Sequence, residues 1–242
     1  GMRNRNGSHG FRFFIWDAEH TLLDILEDRT GPFPAGESFE RSNPQWLWQQ
    51  CLANAEFRRL VADRAHNLLS SGGLLSPENT RRVFEKRMKQ IEKAVVGESA
   101  RWGDLGGRRG GFLGLFGIGN SGPKTRDEHW RGEANRVLND YLPLRSGVLL
   151  SQLWRQGLMP DITPPRHRKL PEGKLELSAP RGRIYYRLDG KDPRDTGDEV
   201  NPAARPYEAP IDTGKGLPIK SRVRYKGEWS VLVEIPPGSS KQ

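Results

Sequence analysis

Cysteine is nearly absent from this chain of 242 residues: Cys51 is the single one, so no disulfide can form within the chain. No apolar run approaches the roughly 18 residues that a membrane-spanning helix needs, which predicts that no segment spans a membrane.

The first ten residues are polar and lack the apolar core of a signal peptide. Gly1 before Met2 is typical of a cloning remnant and fits a natural chain that begins further upstream, so the missing signal peptide carries little weight.

The chain also lacks any one region in which its positive charge is concentrated. Up to Pro164 there are 23 Lys/Arg and 19 Asp/Glu, a net charge of +4, and from Pro165 onward there are 16 and 11, a net charge of +5. A protein that binds nucleic acid usually concentrates its positive charge on one element. We therefore predict a solvated surface of mixed charge and no nucleic-acid partner.

Apolar side chains recur at helical spacing through the first two thirds of the chain. Helix starts are indicated by Asn43-Pro44, by Ser76-Pro77 and by the capping pair Thr125 and Glu128. Pro143 predicts a kink or a split in the last helix. Each apolar stripe needs a partner to cover it, which predicts a helical bundle. The stripes are Phe57, Leu60, Val61, Ala65, Leu68 and Leu69; Val83, Phe84, Met88, Ile91, Ala94 and Val95; and Trp130, Ala134, Val137, Leu138, Tyr141, Val148, Leu149, Leu153 and Trp154.

Two stretches are typical of irregular structure. Residues Gly103 to Gly122 contain nine glycines and predict a flexible insertion between helices. Residues Met159 to Pro171 hold four prolines and several basic residues, and they predict a linker.

After this stretch the pattern changes to a period of two, which predicts strands. We expect them at 175–177, 183–188, 219–225 and 229–235, with turns at Asp189-Gly190 and Lys226-Gly227. Short strands with frequent turn signals favour an open β-sandwich. The acids Asp189, Asp192, Asp195 and Asp198 do not match a calcium-binding loop, so we interpret them as turn formers.

One pair of carboxylates is a candidate metal site. Residues Phe11 to Trp16 predict a buried strand, and Asp17 and Glu19 follow it. Carboxylates two residues apart on an extended chain point to the same side and can bind a divalent cation. Alternatively, the two carboxylates cap the next turn or pair with arginine. The spacing alone favours this structural interpretation over a metal site.

The β region resembles the Fn3-like module found at the end of chitobiases and beta-hexosaminidases and in many bacterial surface proteins. The hallmark of that module is a strand with Y-Y-T-L-D-G-x-D-P, and residues 185–193 here read YYRLDGKDP. Its later motifs are matched by Ile219-Lys220-Ser221-Arg222 and Trp229-Ser230. Exposed aromatic side chains stack on sugars, and Trp229, Tyr207 and Tyr225 are the candidates here, although such residues in a small sandwich more often belong to the core.

The helical region resembles the C-terminal half of the spore-coat CotH kinase family. That family has a strand ending in W-D-x-D, and residues 16–19 here read WDAE. An N-P-x-F-R-like helix start (Asn54 to Arg58) and R-W-G (Arg101 to Gly103) follow in the same order. Members are atypical protein kinases, so the resemblance implies a metal-binding role for Asp17, with Glu19 nearby.

The resemblance implies an α+β fold with a kinase C-lobe-like helical region at 11–158 and an Fn3-like β-sandwich at 165–236. A kinase of this type also needs a nucleotide-binding lobe and an upstream catalytic Asp, and the sixteen residues before Asp17 contain neither. We therefore predict the C-terminal part of a CotH-like protein that is catalytically incomplete as given, with no catalytic residues assigned. The alternative is a non-enzymatic surface or secreted protein whose β-sandwich binds glycan or serves as a spacer.

Cofactor, partner and location follow from the same resemblance. Mg²⁺ or Mn²⁺ with ATP is expected only if the full-length protein is an active kinase, and no cofactor is expected for this chain alone. The implied partner is a protein or a component of the cell envelope, with glycan as a weaker expectation. The implied location is extracellular or at the cell surface.

Overall fold

The computed structural model describes residues 7, 10, 18, 21–32, 44–103, 123–212 and 218–236. In these residues helices come first along the chain and antiparallel sheets follow, so the predicted α+β class is confirmed at that level. The predicted strand at 11–16 and most of the glycine-rich stretch, 104–122, lie outside the described residues.

The helices occupy two stretches of the chain. The first holds α1 (Pro44–Cys51), α2 (Ala55–Leu69) and α3 (Pro77–Trp102). The second is one continuous helical run made of a π-helical turn (Arg126–Trp130), α4 (Arg131–Arg136), a second π-helical turn (Val137–Tyr141) and α5 (Leu142–Arg155). Among the described helices, none combines the length and the apolar character needed to cross a membrane.

Local capping chemistry sets two helix starts as predicted, although the N–H of Thr125 donates to Nδ1 of His129 at 3.1 Å where a full capping box would use the side chain of Glu128. The side chains of Ser76 and Thr125 accept hydrogen bonds from backbone N–H groups three residues later, at 3.4 and 3.3 Å. At the end of α5, Gly157 has a φ of 69°, and the N–H of Leu158 reaches the carbonyl of Leu153 at 3.0 Å. This is the Schellman arrangement, in which glycine takes the left-handed conformation without steric cost.

The sequence predicts a kink or a split at Pro143, but the last helix is not split there. The chain stays helical on both sides of it, and the second π-helical turn lies directly before α5. A proline ring normally clashes with the carbonyl four residues earlier. Pro143 lies in the first turn of α5, where a helix tolerates a residue without an N–H donor.

The helical core forms around the second π-helical turn. Val137, Leu138, Tyr141 and Leu142 are buried together, and Phe84 and Met88 of α3 pack against them. The predicted stripes are covered only in part. Six residues of the predicted stripes stay exposed, so the prediction of a buried face is wrong for them: Leu60, Leu68, Val83, Ile91, Ala94 and Trp154.

Residues 21–32 form an irregular segment that is held along the last helical run. Polar side chains of that run reach the segment's backbone carbonyls: Arg136 binds Leu22, Arg145 binds Ile25 at 2.5 Å, and Gln152 binds Leu26 at 3.0 Å. The segment has few backbone partners of its own, so these side chains satisfy its carbonyls and fix its path.

The β region consists of two antiparallel sheets. The smaller contains β1 (Arg166–Lys169), β2 (Lys174–Ser178) and β5 (Ile211–Asp212) in the order β1-β2-β5. The larger sheet contains β3 (Arg183–Arg187), β4 (Arg205–Pro206), β6 (Ile219–Tyr225), β7 (Glu228–Trp229) and β8 (Val233–Ile235). Its strand order is β4-β3-β6-β7, and β8 also pairs with β6. A single-turn 3-10 helix, Pro171–Gly173, joins β1 to β2. We call residues 166–236 the β module.

The two sheets share one hydrophobic core. It contains Leu175, Leu177 and Ile211 from the smaller sheet and Ile184, Ile219, Val223, Val233 and Ile235 from the larger. Along β6 the core positions alternate with residues that face the other side of the sheet. Lys226 and Gly227 both have positive φ and close the hairpin between β6 and β7, as the turn signal predicted.

Three predictions about the β region need correction. Residues 166–169, assigned to a linker, form β1, and Ile162 before them is buried in the β-module core. The strand predicted at 229–235 is interrupted between β7 and β8. Asp189-Gly190 turns the chain but does not close a tight hairpin, because β3 pairs next with β4 after a long loop.

Candidate functional site at the junction of helices and sheets

Helix α2 presents one charged face to the β module. Glu56, Arg59 and Asp63 are spaced by three and four residues, which places them on the same side of a helix. Each meets a partner of opposite charge in the β module, and the partners are Arg194, Asp198 and Arg222 in that order. The junction between the two parts of the chain is therefore built on charge pairs.

Arg222 lies at the centre of this junction. It stands on β6 at a position that faces away from the shared core, and α2 with the loop after β3 covers it, so that only 3% of its side chain is exposed. Its guanidinium nitrogens Nη1 and Nη2 bind the two carboxylate oxygens of Asp63 at 2.9 and 2.6 Å. Its Nε and Nη2 bind the two oxygens of Asp192 at 2.9 and 2.6 Å. Two bidentate contacts from one planar group fix its orientation.

Backbone groups complete the contacts of this cluster. Nη1 of Arg222 also donates to the carbonyl of Ser230 at 2.7 Å, and Oδ1 of Asp63 accepts from the backbone N–H of Leu232 at 2.7 Å. Buried charges are tolerated when they are paired and hydrogen-bonded in this way. Asp63 thus ties α2 both to the side chain of β6 and to the backbone just before β8.

Electrostatics at the junction favour the charged forms. Burial opposes ionisation of Asp192, but the hydrogen bonds and charge of Arg222 outweigh it, so the pKa of Asp192 lies below its usual value. Burial likewise opposes the charge of Arg222, and its two carboxylate partners raise its pKa above the usual value. At the exposed edge, the hydrogen bond from Arg194 lowers the pKa of Glu56.

A polar cleft of about 340 Å³ opens beside this cluster, between α2, the turn at Gly157–Pro160 and residues 228–231. Its arginines are already engaged: Arg222 with two carboxylates, Arg59 with Asp198, and Arg58 with the carbonyls of Leu52 and Ala53. The arrangement therefore joins two parts of the chain, and we assign no catalytic chemistry to it.

Two of the four acids interpreted as turn formers, Asp189 and Asp192, have two roles. Asp189 and Asp192 each accept a hydrogen bond from the backbone N–H two residues later, at 3.1 and 2.9 Å, which confirms the turn interpretation for them. Asp189 also binds Arg187, and Asp192 binds Arg222. The sequence analysis did not predict this pairing with arginine. The available signal was an arginine in the middle of a predicted strand.

The aromatic residues considered for sugar binding are not free surface groups. Trp229 is 2% exposed, its ring lies edge-on to Tyr185 at 5.7 Å, and its Nε1 donates to the carbonyl of Asp198 at 2.9 Å. Tyr207 and Tyr225 are half-buried against the shared core. The expectation that these residues belong to the interior is therefore confirmed for Trp229.

Asp17 and Glu19 lie outside the described residues. The residue between them, Ala18, is described, and its carbonyl accepts hydrogen bonds from the N–H and Oγ1 of Thr21 at 3.0 and 2.6 Å. In the part of the chain that the structure describes, no group of three or more His, Cys, Asp or Glu side chains could hold a metal ion. The metal site at Asp17 and Glu19, and Mg²⁺ or Mn²⁺ with ATP, stay predictions.

Comparison of the chain with protein-family models, with curated proteins and with solved structures gave no match.

Proposed function

We propose that this chain is the C-terminal part of a CotH-like protein in which an Fn3-like sandwich is fixed onto a kinase C-lobe-like helical region. In this proposal residues 44–236 act as a structural unit without catalytic activity of their own. The support for the family relation is the order of the motifs at 16–19, 54–58, 101–103 and 185–193. The support for a structural role is the junction described above.

The single observation that carries the structural role is the burial of Arg222 between Asp63 and Asp192. A flexible spacer would need no charged side chain removed from water at its boundary, because the desolvation of a charge costs several kcal/mol unless the pairing is good. A buried pair across a boundary specifies one orientation of the two parts. We therefore favour a rigid junction over a spacer.

The test is a distance measurement between the two parts by pulsed electron paramagnetic resonance. Spin labels at Ser151 on α5 and Ser178 on β2, both exposed, in a Cys51→Ser background report the relative placement. A rigid junction gives one narrow distance distribution, which broadens in Asp63→Asn. A broad distribution in the chain with Asp63 intact would refute the proposal, and Glu208→Gln in the β module serves as a control that should change nothing.

A further inference from the structure

Helix α3 has a face of uncompensated positive charge. Phe84 and Met88 mark the side that packs against the helical core. On the opposite side, Arg82, Lys86, Lys89 and Lys93 recur at steps of four, three and four residues, so they line up along the helix. All four are exposed. We call these four residues the basic stripe.

The acids of α3 do not neutralise this stripe. Glu85 and Glu92 lie within one turn of Lys89, yet Glu85 binds Arg81 at 2.9 Å and Glu92 binds Arg131. Glu78 accepts from the backbone N–H of Gly72 at 2.7 Å. Among the described residues, none makes a hydrogen bond or an ion pair with the side chains of the stripe. A count of charge over the whole chain conceals this local excess.

The shape of the stripe limits what can bind it. It is about 16 Å long and one side chain wide, from the helical rise of 1.5 Å per residue. The ion pairs of Glu85 and Glu92 border it on one side, so the excess charge forms a single row and not the broad positive surface that a nucleic-acid duplex or a bilayer would contact. The aromatic residues of α3, Phe84 and Trp102, lie on the opposite side of the helix, where they cannot stack on the bases of a strand bound to the stripe.

We propose that the basic stripe of α3 docks an acidic segment of a partner protein, with carboxylates repeated along a single chain. In an extended peptide, alternate side chains lie on the same side about 6.6 Å apart. The cations of the stripe follow one another along the helix axis at about 4.5 to 6 Å. An extended segment with acids at alternate positions therefore brings one carboxylate near each cation, and long lysine side chains take up the remaining difference.

The experiment measures binding of the full chain to a fluorescent peptide of alternating Glu and Ala, about twelve residues long, by fluorescence anisotropy. The test variant is Lys86→Gln/Lys89→Gln/Lys93→Gln, since glutamine keeps the helix propensity of lysine. The matched control is Arg166→Gln/Lys191→Gln/Lys226→Gln, which removes the same charge from exposed sites of the β module. Circular dichroism checks that both variants keep their helix content.

We expect the test variant to bind the peptide about tenfold more weakly at about 0.05 M salt, and the control to lose less than about twofold. Raising the salt to about 0.5 M should abolish the difference, because it screens exposed charges. Equal losses in both variants would show attraction by net charge alone and overturn the proposal. Tighter binding of a DNA duplex or of anionic vesicles than of the peptide would also overturn it.

Discussion

Asp63 of α2 and Arg222 of β6 form a bidentate ion pair, at 2.9 and 2.6 Å, between residues 159 positions apart in the sequence. The pair joins the helical region to the β module, and Asp192 binds the same guanidinium from the loop after β3. Arg222 therefore cannot leave the junction without breaking contacts to three parts of the chain, counting the carbonyl of Ser230.

Replacing Asp63 with alanine should destabilise the protein strongly. Removal of one partner from a buried pair leaves a charge without full compensation, which costs about 3–5 kcal/mol. Because Asp192 stays bound to Arg222, we expect the lower end of this range, about 3 kcal/mol. Urea unfolding monitored by circular dichroism measures the free energy of unfolding. Glu176→Gln is the control: it pairs with Arg168 on the surface of the β module, both side chains are more than a third exposed, and its loss should stay below about 1 kcal/mol.

Acid should weaken the junction through Asp192. Because the folded pKa of Asp192 is lowered, its stabilising contribution is fully present above the unfolded value, about 3.9, and is lost as the pH falls through the lower folded value. Unfolding free energies of the parent chain and Asp192→Asn, measured from about pH 5 to 2, should converge as the pH falls. Groups common to both chains, such as His66, cancel in the difference. A difference independent of pH would contradict the assignment.

Trp229 should be essential for stability and irrelevant to sugar binding. Trp229→Ala removes a buried indole and its hydrogen bond to Asp198, for which we expect a loss of about 3–5 kcal/mol. We expect no measurable binding of the parent chain to chitin or peptidoglycan in a pull-down. Binding that is lost in Trp229→Phe, while thermal unfolding shows the variant still folded, would place this residue in a sugar site instead.

Limited proteolysis should cut the chain first in the glycine-rich stretch Gly103–Gly122, as its composition predicts. From the sequence alone we also expect a cut near residues 160–168, in the predicted linker. The structure changes this second expectation, because Ile162 and Pro165 are buried and β1 is paired with β2. We now expect residues 160–168 to resist the protease. Mass spectrometry of the early fragments shows where the first cuts fall. An early cut there, before any cut in the glycine-rich stretch, would contradict the packed junction.

Nucleotide binding by this chain should be weak. If Asp17 and Glu19 are the metal-binding carboxylates that the CotH resemblance implies, two carboxylates alone leave most of the coordination of Mn²⁺ to water and phosphate oxygens. Calorimetry with Mn²⁺ and ATP should therefore detect no tight binding, and no ATP hydrolysis should be measurable. Tight binding that disappears in Asp17→Ala but persists in Asp24→Ala, an exposed acid nearby, would show a working site.

The sequence by itself determined the features that depend on neighbouring residues. Ser76-Pro77 starts α3, Thr125 caps the last helical run, and residues 219–225 form β6 with the Lys226-Gly227 turn after it, all as predicted. These signals are readable because capping, turn conformation and strand alternation are decided within a few residues.

Only the tertiary structure decided which faces are covered. Leu60 and Leu69 both belong to the predicted apolar stripe of α2, yet Leu60 is exposed and Leu69 is buried. The stretch before β2 has the composition of a linker, but pairing with β2 makes it a strand. Arg222 is buried because α2 lies over it and supplies Asp63. Burial and charge pairing depend on contacts between residues far apart in the chain, which periodicity and composition do not specify.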